Sequence, residues 1–162
     1  MEGVFQDNVV IDDHFHNREY CFGVAAVPTA THFADQDSLT PFVLTSGLGV
    51  FGTEVPIFGS SDMPVRPGSM LYDARVLSIV AADNSGPWII RYVWETTPGQ
   101  GVAAAEAAGQ YSEIYPVLGV IVFDFKHDRI VPGCMLWAKA LNSIISTISI
   151  LIAEHEYPSL SP

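Results

Sequence analysis

Apolar and polar residues alternate with a period of two over much of this chain. Near its end, Ile148, Ile150 and Ile152 are interleaved with Thr147, Ser149, Leu151 and Ala153, a spacing that predicts a strand with one richly apolar face. Residues 71–95, LYDARVLSIVAADNSGPWIIRYVWE, predict two more strands. The first is carried by Leu71, Tyr72, Val76, Leu77, Ile79 and Val80, the second by Trp88, Ile89, Ile90, Tyr92, Val93 and Trp94. β-Branched and aromatic side chains of this kind fit a pleated, half-buried surface. Between the two runs, Asp83, Asn84 and Ser85 can bond nearby backbone, Gly86 accepts positive φ and Pro87 fixes φ, so the pair reads as a hairpin.

The remaining elements follow from the same rules. Residues 1–13 hold the apolar run Val9-Val10-Ile11, with Phe5 before it, and predict either a first strand or an extended arm. Residues 14–40 sustain no period and read as an irregular, loop-rich segment, which in a compact domain is functional or packs on a partner. Short strands are expected at 41–45, 49–52 and 54–58, with Pro56 at an edge or a bulge because it has no N–H to give a ladder. Residues 101–108 predict a helix of about two turns, ended by Gly109. Strand character resumes over 111–125. Lys126-His127-Asp128-Arg129 reads as a charged loop, and 135–141 and 145–157 read as a final strand pair about Asn142-Ser143. The expected organisation is an arm or first strand (1–13), one domain (14–157) and a short tail (158–162). About eight short strands, one short helix and Gly/Pro turns predict an all-β fold, a jelly-roll-like antiparallel β-sandwich.

Composition narrows the function more than the fold. A length of 162 residues suits one domain. With 49% apolar and 15% charged residues the chain is globular in type. The net charge is −11, and the seven basic residues are never adjacent, which argues against nucleic acid as a partner because phosphate contacts need clustered Lys and Arg. Cys21 and Cys134 are too few for a disulfide framework and lack metal-ligand spacing. The acidic opening MEGVFQDNVVIDD has no apolar core of the secretory kind. Residues 135–153, MLWAKALNSIISTISILIA, are apolar enough to suggest a membrane span. Lys139, Asn142 and the interspersed hydroxyls argue instead for strands, and so for no membrane partner. Synthesis in a cytosol-like compartment is the expectation.

Candidate chemistry is sparse. His14 and His16 share one face of an extended segment, a spacing suited to metal ligation. With Glu19 and Gly23 after them they are similar to the first cupin motif, although the spacing is shorter. The second motif is not met, since Leu71 follows Arg66-Pro67-Gly68 where a histidine would stand. Further ligands would have to come from His32, His127 or His155, and interface or surface histidines are the better reading. Asp35-Gln36-Asp37-Ser38 begins like a calcium loop but lacks its sixth-position Gly and twelfth-position Glu. No G-x-S-x-G elbow and no Gly-rich phosphate loop occurs. Trp88, Trp94 and Trp137 could stack on sugars, but each sits in an apolar strand and reads as core. The expectation is a protein without catalytic residues or a cofactor.

Several segments taken together resemble small structural proteins of tailed bacteriophages. They are FVLTSG (42–47), PIFGSSDMPV (56–65), the 71–95 stretch, GQYSE (109–113) after the Ala-rich helix, MLWAKALN (135–142) and ISILIAEHEY (148–157). The pattern is similar to the jelly-roll cement, or decoration, proteins of tailed double-stranded DNA phage capsids. That resemblance implies a virion protein made in the host cytoplasm and placed on the capsid exterior. Its implied partners are the major capsid protein, whose subunits it bridges, and itself, as a homodimer or homotrimer. No catalytic residue comes with it. An arm containing Phe5, Val9, Val10 and Ile11 is the expected partner contact, by strand addition to a neighbouring sheet edge. The other expectations are a head-fibre or tail-associated component with receptor or glycan contact, and a cupin-like metalloenzyme using His14 and His16.

Overall fold

The computed structural model describes residues 19–22, 41–59, 65, 68–82, 86–116 and 123–158. In chain order these form β1 (Glu19–Phe22), β2 (Phe42–Thr45), β3 (Gly47–Leu48), β4 (Val55–Phe58), β5 (Ser69–Ala81), β6 (Ile89–Trp94), helix α1 (Val102–Ala107), β7 (Tyr111–Ile114), β8 (Phe123–Ile130), β9 (Leu136–Asn142) and β10 (Thr147–Pro158). Two sheets result. In the first, β10 has β1 and β2 along one side and β5 along the other, with β8 beyond β5. In the second, β9 has β3 and β4 on one side and β6 on the other, with β7 beyond β6.

The pairing has a simple origin. β1 and β2 are collinear against β10, since Phe22 lies opposite Ile152 and Phe42 opposite Ile150. They make one leg, and β3 with β4 makes the next, so the ten strands, against the about eight expected, fall into eight legs. First pairs with last, second with seventh, third with sixth and fourth with fifth. This paired ribbon is wound so that successive legs fall in alternate sheets, except the fourth and fifth, which are neighbours in one, giving orders 1-8-3-6 and 2-7-4-5, the jelly-roll order. One short pair departs from antiparallel: β3 runs parallel to β9, Gly47 opposite Leu141 and Leu48 opposite Asn142.

Several sequence expectations need correction. The 71–95 stretch is not a hairpin, because β5 pairs with β10 and β8 while β6 pairs with β7 and β9. β9 and β10 likewise belong to different sheets, and the 111–125 run is divided between β7 and β8. Alternation reports which face of a strand is apolar, not which strand takes its edge. Lys126-His127-Asp128-Arg129 is not a loop but the end of β8, with His127 buried and Asp128 and Arg129 exposed. β1 was missed within the irregular 14–40 segment. The strand expected at 49–52 is reduced to a single bridge from Phe51 to Leu141, with β3 just before it. Pro56 stands as expected, on a strand that pairs only with β9 among the described residues and beside a register shift before Phe58. Residues 135–153, apolar as they are, make β9 and β10, and no helix among the described residues is long and apolar enough to cross a membrane.

Inward-facing side chains of both sheets close the sandwich: Phe42 and Leu44 from β2, Ile57 and Phe58 from β4, Ile90 from β6, Leu136 from β9, and Ile148, Ile150 and Ile152 from β10. Each such Leu, Ile or Phe contributes about 1.5–3 kcal/mol when fully buried. A smaller cluster of Val93, Ala105 and Trp137 seats α1 on the outer face of the second sheet. The helix ends in a Schellman motif: Gly109, at φ 76°, donates its N–H to the Glu106 carbonyl, and Gln110 donates to Ala105. At its start the buried Glu95 carboxylate accepts from the Gly101 N–H at 2.6 Å and from the Met135 N–H at 2.9 Å. One side chain thereby fixes both the helix entry and the approach to β9.

Candidate functional site

Among the described residues, one end of the sandwich exposes a group of apolar side chains. It is built where β2 turns into β3 and β9 into β10, next to the end of β5. The Ser46 hydroxyl donates to the Ile144 carbonyl at 2.8 Å and accepts from the Ser146 N–H at 3.0 Å, while the Ser46 N–H donates to the Ser146 carbonyl at 2.9 Å. Gly49 N–H bonds the Asn142 carbonyl and Ala82 N–H the Thr147 carbonyl, so the three connections form one surface. Leu48, Val50, Ile144 and Ile145 project from it with exposures from 42% at Ile144 to 69% at Ile145. Exposed Val43 and Val80 extend the surface onto the outer face of the first sheet, flanking Ser149 across β10. No Asp, Glu, Lys, Arg or His occurs in 41–53, 76–82 or 140–153. Exposed apolar side chains grouped at one end in this way suit a protein-contact surface.

The outer face of the second sheet is of the opposite character. Arg91 on β6 lies opposite Glu113 on β7 and Lys139 on β9. Its guanidinium binds Glu113 through Nε at 2.9 Å and Glu106 of α1 through a terminal nitrogen at 2.9 Å, and Lys139 reaches the same Glu106 oxygen at 2.5 Å. The rings of Phe51 and Tyr111 lie on either side, 4.1 and 4.3 Å from the guanidinium carbon. The bond from Arg91 is the main cause holding the Glu113 carboxyl below its ordinary range. Burial pushes Glu106 up, but Lys139 and Arg91 outweigh it and its pKa is lowered. This network fastens the helix to three strands. Its charges are satisfied internally.

Inside the sandwich, His127 of β8 and Glu154 of β10 face Tyr92 and Trp94 of β6 across the two sheets. His127 Nε2 lies 3.1 Å from Glu154 Oε2, with both side chains fully buried. Nδ1 lies 2.7 Å from the Asp128 carbonyl, which can only accept, so Nδ1 carries a proton. The Trp94 ring packs 5.8 Å from the imidazole and its Nε1–H reaches Asp128 Oδ2 at 3.2 Å. Burial, with Glu154 nearby, pushes the Tyr92 hydroxyl far above its ordinary pKa. Burial likewise raises the Cys134 thiol, which makes it a poor nucleophile.

Phe5, Val9, Val10, Ile11, His14, His16 and His32 lie outside the described residues. Among the described residues no three His, Cys, Asp or Glu side chains gather as a bound cation would require. Trp88, Trp94 and Trp137 are all buried, as core packing predicts, and none offers the platform that glycan contact requires. The apolar end went unrecognised because its residues are scattered over three connections. The available signal was Leu48 and Val50 around Gly49, and Ile144 and Ile145 after Asn142-Ser143: apolar side chains at turns, where polar ones are usual. Comparison with protein-family models, curated proteins and solved structures finds no match for this chain.

Proposed function

We propose that this chain is a non-enzymatic structural protein that acts by protein contact: a capsid cement protein of a tailed bacteriophage. In that role it binds the outer surface of the shell, bridges major capsid subunits and associates with copies of itself. The observation that supports the reading is the group of exposed apolar side chains at one end of a jelly roll whose core is filled by its own side chains. A ligand that binds only the expanded lattice stabilises it by mass action, and repetition over a closed shell adds avidity without tight single contacts. The net charge of −11 keeps such a protein away from DNA. The arm with Phe5, Val9, Val10 and Ile11 is the proposed strand-adding contact with the shell.

The test is co-sedimentation of purified protein with expanded, undecorated capsids. Saturable binding at a fixed ratio to the major capsid protein is expected, with a marked loss of occupancy when residues 1–11 are deleted. Absence of the full-length chain from the capsid pellet at every concentration overturns the function. Full occupancy by the truncated chain overturns the arm alone.

A further inference from the structure

We draw no further inference here: the strongest candidate, the exposed apolar side chains of Leu48, Val50, Ile144 and Ile145 at one end of the sandwich, belongs to the surface described above, and nothing in the structure shows what covers it.

Discussion

His127 shows how a residue's neighbours in sequence mislead about its surroundings. It stands in the most charged run of the chain, between Lys126 and Asp128, and such a run predicts a solvated loop. In the fold, where β8 shifts register against β5, His127 turns inward while Asp128 and Arg129 stay out, and the carboxylate that meets it comes from Glu154, 27 positions away. Nothing local announces that partner. His127→Ala removes the Nε2 contact to Glu154 and the Nδ1 donor to the Asp128 carbonyl, and leaves a cavity beside Trp94. Breaking a buried pair from one side costs about 3–5 kcal/mol, so the midpoint of denaturant unfolding is expected to fall accordingly. A shift under about 1 kcal/mol would show that water reaches the pair and that the interior is looser than its packing indicates.

At the scale of elements, what was legible was what local chemistry decides. Gly109 ends the helix because only a residue tolerant of positive φ fits C′, Ile148, Ile150 and Ile152 face inward because their period says so, and Pro56 falls at a bulge because it has no N–H. Partners were not legible. The turn residues between β5 and β6 suit a tight hairpin and a crossing between sheets equally well, and four residues of β1 carry too little pattern to stand out. The helix also has a determinant that its own residues conceal. Gly101 sits at φ 81°, ψ 152°, a region essentially closed to other residues and costing of order 1–3 kcal/mol to occupy, and the Glu95 carboxylate holds its N–H. Gly101→Ala is therefore expected to detach α1 and uncover Val93 and Trp137, without dismantling the two sheets. Hydrogen exchange checks this: amides of residues 104–110 lose protection, while those of β9 and β10 keep it. Equal loss throughout would mean that the helix is part of the cooperative core.

For the molecule as a whole, two electrostatic effects run in opposite directions with pH. The ion network of Arg91, Lys139, Glu106 and Glu113 joins the helix to β6, β7 and β9, and it lowers the pKa of both glutamates. A carboxyl whose folded pKa lies below its unfolded value contributes stability in full above that unfolded value, about 4.3, and loses it as pH falls through the folded pKa. Resistance to unfolding is thus expected to hold from neutral pH down to about that point and decline below it. Self-association should change at higher pH, where stability is flat. Approaching the sequence pI of about 4.5 removes the net charge that drives copies apart. Light scattering between pH 7 and pH 5 should therefore show association tightening with no loss of folded structure, the gain being largest at low salt where repulsion is least screened. Association that weakened on acidification would instead place carboxylates in the contact between copies.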